Sequence, residues 1–169
     1  MPTTSPFRIP VADLLRRPGA SRTVRVAAPL ADVRGPGAEV PADRPVSVEL
    51  TFERVPEGLV VRGTIGAHWD AACSRCLTPV GGDLEVHVGE LYERRPLEGE
   101  TYQLTDDDVV DLEPLIRDAL LLELPAVPLC RSDCRGLCPK CGIDRNASEC
   151  DCADAEPDPR WAALRSLDL

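Results

Sequence analysis

Six of the chain's eight cysteines lie between Cys130 and Cys152. They are spaced as Cys-x3-Cys (Cys130, Cys134), Cys-x2-Cys (Cys138, Cys141) and Cys-x-Cys (Cys150, Cys152). The remaining two, Cys73 and Cys76, form a second Cys-x2-Cys more than fifty residues upstream. A Cys-x2-Cys turn presents two sulfurs to one ion, and structural zinc takes four ligands in a tetrahedron, often all thiolates. Cys138-Pro139-Lys140-Cys141-Gly142 has the form of a zinc knuckle, with the glycine permitting the tight turn. Four close pairs thus supply ligands for two zinc ions, and all eight cysteines are expected to bind metal in a structural role. Four pairs can form two tetrads in three ways. Only Arg-Gly-Leu separates Cys134 from Cys138, which leaves little room for those two turns to face one another. That favours Cys73, Cys76, Cys130 and Cys134 around one ion and Cys138, Cys141, Cys150 and Cys152 around another, with the other pairings left open.

Competing chemistries find less support. Cys134, Cys138 and Cys141 match the Cys-x3-Cys-x2-Cys spacing of radical iron–sulfur enzymes, but those need a large α/β barrel that 169 residues cannot supply. The ferredoxin run of Cys-x2-Cys-x2-Cys is absent. A redox Cys-x2-Cys needs a thioredoxin-like βαβ context. Catalytic zinc usually takes histidine ligands and an open position. Only His68 and His87 exist, both inside strand patterns and outside any His-Glu-x-x-His arrangement. With no phosphate-binding glycine loop and no Gly-x-Ser-x-Gly elbow, no catalytic residue is assigned. Two alternatives stand beside the structural reading: a zinc-dependent or thiol-redox enzyme acting on RNA or protein thiols, and a zinc-ribbon module for protein contacts or transcriptional regulation.

The cysteines must be held by something, and the hydrophobic pattern says what. Val46, Val48, Leu50 and Phe52 alternate with polar residues, the period of a half-buried strand. After a turn at Pro56-Glu57-Gly58, Leu59, Val61, Ile65, Ala67 and Trp69 repeat it, and Leu84, Val86 and Val88 give a third strand. Tight connections imply an antiparallel meander, with Cys73 and Cys76 in the turn between its last two strands. From Asp111 the period becomes helical: Leu112, Leu115, Ile116, Ala119 and Leu120 share one face, Asp111 is a good N-cap, and Pro125 ends the run. This helix, expected over 111–124, is the natural cover for the sheet. A short helical turn over 11–17 and a strand over 22–27 precede the meander. The stretches 31–45 and 93–110 read as loops. Leu129, Leu137 and Ile143 are too few for a core, so the cysteine-rich segment needs metal to hold a shape. A terminal helix is expected over 158–167, with Trp161 and Leu164 on one face. The fold class is α+β. An antiparallel β-sheet or partial barrel with a cover helix is expected over 1–128, and a zinc-binding C-terminal module over 129–169.

With 43% hydrophobic but only 4% aromatic residues, the core must be aliphatic. No run is apolar and long enough to span a membrane, and Met1–Pro6 has no signal-like apolar region. A cytoplasmic location is expected, where paired cysteines are metal ligands rather than disulfides. The net charge of −10 is uneven. Residues 1–30 hold five arginines and one acid, while residues 100–169 hold seven basic and sixteen acidic residues. Such a body is repelled by bare nucleic acid and suits a basic protein partner, leaving RNA contact to the arginine-rich N-terminus.

Cys-Ser-Arg-Cys-Leu at 73–77, Glu-Leu-Pro at 123–125, Asp-Cys-Arg-Gly-Leu-Cys-Pro-Lys-Cys-Gly at 133–142 and Asp-Pro-Arg-Trp-Ala-Ala-Leu at 158–164 resemble the YceD family. These are the large ribosomal RNA subunit accumulation proteins. The resemblance runs over nearly the whole chain and departs at Arg145-Asn146, where Leu-Asn is expected. It implies a role in the accumulation of 23S ribosomal RNA, with a large-subunit ribosomal protein or precursor 23S RNA as partner. It implies no catalytic residue and no small-molecule substrate.

Overall fold

A computed structural model describes residues 5–96, 100–152 and 160. The expected terminal helix over 158–167 lies almost entirely outside them. In chain order the elements are β1 (Arg8–Pro10), α1 (Ala12–Leu15), β2 (Ser21–Pro29), β3 (Val33–Arg34), β4 (Ala38–Val40) and β5 (Pro45–Arg54). They continue with β6 (Leu59–Ala72), β7 (Pro79–Glu93), β8 (Tyr102–Gln103), β9 (Val109–Asp111) and α2 (Glu113–Glu123).

The meander forms as its alternation dictates. β2, β5, β6 and β7 run antiparallel side by side, and their apolar positions turn to one face of a sheet curled into a half-barrel. β6 is the spine. It pairs with β7 along its whole length, with β5 from Leu59 to Gly66, and with β4 at Asp70 and Ala71. Val46, Leu50, Phe52, Leu59, Val61 and Ile65 are sealed from solvent on the inner face. Among the described residues only β8 pairs in parallel, at the end of β7.

α2 covers this face as its period requires, with Leu115, Ile116, Ala119 and Leu120 buried. The capping differs from expectation. Leu112 is the residue at the N-cap position, and Asp111 stands one place earlier, its Oδ1 accepting the Glu113 N–H at 3.0 Å. The carboxylate still satisfies one of the orphan donors of the first turn. α1 is a single turn, shorter than the expected 11–17, that buries Leu14 and leaves Arg16 and Arg17 exposed.

Two stretches read as loops are not loops. Within 31–45, β3 and β4 form a small hairpin that buries Val33, Ala38 and Val40. Within 93–110, β8 and β9 form, Leu104 bridges Val110, and both are buried. β9 pairs with β1, a partner about a hundred residues away. Strands of two or three residues are too short to show a period, and long-range pairing supplies what local pattern lacks.

Candidate metal centres

The turn between β6 and β7 carries Cys73 and Cys76. The Cys73 N–H donates to the Thr78 carbonyl at 2.8 Å, and the Leu77 N–H donates to the Cys73 carbonyl at 2.9 Å. The second knuckle repeats this pattern. There the Cys138 N–H donates to the Ile143 carbonyl at 2.8 Å, and the Gly142 N–H donates to the Cys138 carbonyl at 2.9 Å. Closing the turn puts the residue after the second cysteine in the left-handed region: Gly142 at φ +73° and Leu77 at φ +62°. Glycine adopts that conformation freely, whereas leucine strains to do so.

The eight sulfurs gather as two groups. Cys73, Cys76, Cys130 and Cys134 form one, and Cys138, Cys141, Cys150 and Cys152 the other, with the sulfurs of each within 4.8 Å of one another. This is the division that the short Arg-Gly-Leu spacer favours. In the first group the Cys73 and Cys134 sulfurs are 3.9 Å apart, and those of Cys76 and Cys130 are 3.5 Å apart. A disulfide needs about 2.05 Å. Four sulfurs at about 2.3 Å from a central zinc would lie about 3.8 Å from one another, so the spacing fits a tetrahedral ion.

Burial separates the groups. Cys73, Cys76 and Cys134 are buried and pack with Val80, Leu129 and Leu137, and Cys130 is exposed. In the second group only Cys138 is buried.

The electrostatics suit a cation. At Cys73 burial works against ionisation. The backbone N–H groups of Arg75, Cys130 and Cys76, together with the Cys76 thiol, overcome it and bring the pKa down to about 6. At Cys138 the N–H groups of Cys141 and Lys140 lead, against burial, and the pKa again falls to about 6. In each group another thiol is shifted the opposite way. Cys130 is pushed up to about 12, chiefly by its hydrogen bond with Cys76 and then by burial. Cys152 is pushed up to about 12, chiefly by its hydrogen bond with Cys141 and then by burial. A divalent ion would relieve this crowding of negative charge.

Two residues outside the cysteines tie the groups to the sheet and to each other. The Arg75 Nη1 donates to the Cys134 carbonyl at 2.8 Å, and the Leu137 N–H donates to the Arg75 carbonyl at 3.0 Å. Asn146 reaches across from the second group's loop. Its Nδ2 donates to the Cys134 sulfur at 3.4 Å and to Asp144 Oδ1 at 2.7 Å. Its Oδ1 accepts the Arg135 N–H and an Arg131 guanidinium N–H, each at 2.8 Å. In the sequence Asn146 stands out only as the neighbour of a departure from the family pattern, and Arg75 carries no signal of its own. His68 and His87 belong to neither group; His68 lies between Asp70 and Asp83 on the sheet.

Comparisons with known proteins agree with the resemblance. An uncharacterised protein of Mycobacterium tuberculosis is 38% identical over 174 residues, covering 95% of this chain and 80% of that protein. One from Mycobacterium leprae is 34% identical over 170 residues, covering 96% and 78%. An Arabidopsis thaliana protein named large ribosomal RNA subunit accumulation protein YCED homolog 1, chloroplastic, is 25% identical over 161 residues, covering 76% of this chain and 50% of its own. No solved structure matches at a significant level. The family model described as large ribosomal RNA subunit accumulation protein YceD matches residues 61–168, so the chain belongs to the YceD family.

Proposed function

We propose that the chain is a non-enzymatic, zinc-bound factor in large ribosomal subunit biogenesis. It supports accumulation of 23S ribosomal RNA through contacts with a large-subunit ribosomal protein, precursor RNA or both. The observation that carries the reading is family membership together with two tetrads of thiols and no histidine in either. Each tetrad would supply four thiolates to one zinc and leave no coordination site for a substrate, which suits a structural role. Cys73, Cys76, Cys130 and Cys134 would clasp the cysteine-rich segment onto the sheet. Cys138, Cys141, Cys150 and Cys152 would fold that segment itself, making 129–169 a module and 1–128 the β domain. Among the described residues no helix is long and apolar enough to cross a membrane.

The test is depletion in cells, followed by gradient analysis of subunits. Depletion should lower 23S relative to 16S RNA and reduce free large subunits. An unchanged subunit profile would overturn the ribosomal reading.

A further inference from the structure

Among the described residues, β7 has a backbone edge with no strand beside it up to Leu91. At its start the Cys73 N–H bonds the Thr78 carbonyl, so the backbone of even-numbered residues faces β6. At its end the Leu104 N–H bonds the Glu93 carbonyl at 2.8 Å, on the β8 side. Backbone groups alternate sides along a strand, and the two bonds agree. The N–H and C=O groups of Gly81, Asp83, Glu85, His87, Gly89 and Leu91 therefore face away from β6. β8 pairs only with Tyr92 and Glu93, and among the described residues no strand lies beside Pro79–Leu91. No residue of that stretch is buried.

Free edges are usually blunted by lysine, proline, a bulge or a covering segment. β7 has no lysine or proline from Val80 to Leu91, and its pairing with β6 runs unbroken through fourteen residue pairs. Its charge has one sign. Asp83 and Glu85 are exposed on the convex face, on residues whose backbone is free, and Glu90 lies on the other face, with no arginine or lysine in the strand. Val80, Leu84, Val86 and Val88 form a partly exposed apolar row on that other face. The opposite edge of the half-barrel differs. The Arg54 N–H bonds the Ala20 carbonyl, so the free positions of β2 include Ser21, Thr23, Arg25 and Ala27, and the strand ends in Pro29. That edge carries arginine and no acid. An added strand gains main-chain hydrogen bonds from an edge and specificity from the side chains that alternate across it.

We propose that the β7 edge is the docking site for an extended basic segment of a partner protein, alternating cationic and apolar side chains. The segment adds as a further strand to the half-barrel. Its cations lie beside Asp83 and Glu85, and its apolar side chains lie beside Leu84, Val86 and Val88. The inference rests on the ribosomal reading, to whose basic protein partner it gives a place on the fold.

The test is amide exchange on isotope-labelled, zinc-loaded protein, titrated with a peptide of about ten residues alternating arginine with valine. A glutamate–valine peptide of equal length is the control. The basic peptide should bind and slow exchange at Gly81, Asp83, Glu85, His87 and Gly89, and the acidic one should not. His87→Pro removes one outward N–H and spares the β6 ladder, since proline is tolerated where the N–H faces solvent. It should weaken peptide binding about tenfold or more at unchanged melting temperature. Glu85→Lys keeps the backbone intact and should weaken binding several-fold, so the inference stays testable if the proline variant does not fold.

Binding that ignores both substitutions would overturn the inference. So would protection of these amides in the chain alone, where its own residues cover the edge, or protection that grows with protein concentration, where a second copy does. Displacement of the peptide from these amides by an RNA oligonucleotide would overturn it as well. In depleted cells, a His87→Pro chain that has lost peptide binding yet restores 23S RNA would sink the edge and leave the ribosomal reading standing. A wild-type chain that binds the peptide with no effect on 23S RNA would do the reverse.

Discussion

The two knuckles share one backbone turn but rest on different foundations. The turn at Cys73 and Cys76 closes a fourteen-pair ladder between β6 and β7, whose inner face is part of the main core. The turn at Cys138 and Cys141 closes a single bridge, between Leu137 and Asp144. In both, the N–H groups two and three residues beyond the first cysteine lower its pKa to about 6. The local design is common, and what differs is how much else holds each turn in place. In the first, burial of apolar side chains forms the sheet, and metal would fasten a second segment to it. In the second, almost no apolar area is buried, so metal would be the main source of shape.

This contrast can be broken by removing one ligand at a time. Cys73→Ser should cost one of two zinc equivalents and lower the melting temperature of the sheet by about ten degrees or more, read by elemental analysis and circular dichroism. Unchanged metal and melting would end the clasp idea. Cys141→Ser should cost the other equivalent and leave melting of the sheet within about two degrees of wild type, because local opening of the second group leaves the main core intact.

The pH dependence follows from the thiols. At neutral pH the metal-free chain holds Cys73 and Cys138 largely ionised, whereas Cys130 and Cys152, pushed up to about 12, keep their protons. Zinc binding must expel those protons, so affinity rises with pH and falls as pH drops through about 6, where Cys73 and Cys138 protonate as well. Calorimetry in buffers of different ionisation enthalpy should find at least one proton released per ion.

Asn146 is where the two groups meet. Asn146→Ala removes the donor to the Cys134 sulfur and the acceptor for the Arg135 N–H. It should weaken zinc at the first group about tenfold in chelator competition, the usual scale for an outer partner of a ligand. The smallest effect is expected at Leu77, which is exposed and left-handed. Leu77→Gly should stabilise the chain by about 1 kcal/mol in denaturant unfolding, whereas Gly142→Leu should destabilise the second turn by a similar amount.

Much of this was legible in the residues themselves. The meander of β5, β6 and β7 shows because each strand is long enough to alternate, and α2 because Leu112 at its N-cap and the four buried positions Leu115, Ile116, Ala119 and Leu120 recur at helical spacing. The division of the thiols shows because three residues between Cys134 and Cys138 limit which turns can meet. The hairpin at Val33–Val40 and the pairing of β1 with β9 were hidden, since strands of two or three residues carry no period and are made by distant partners. Arg75 and Asn146 were hidden for a related reason. A lone polar residue acquires its role from what the fold brings beside it, and spacing along the chain does not record that.

Whether the eight cysteines hold two structural zinc ions is read by elemental analysis of protein purified without chelator. Two zinc per chain and no absorbance in the visible range are expected. No metal, or iron with visible absorbance, would rule out two structural zinc sites.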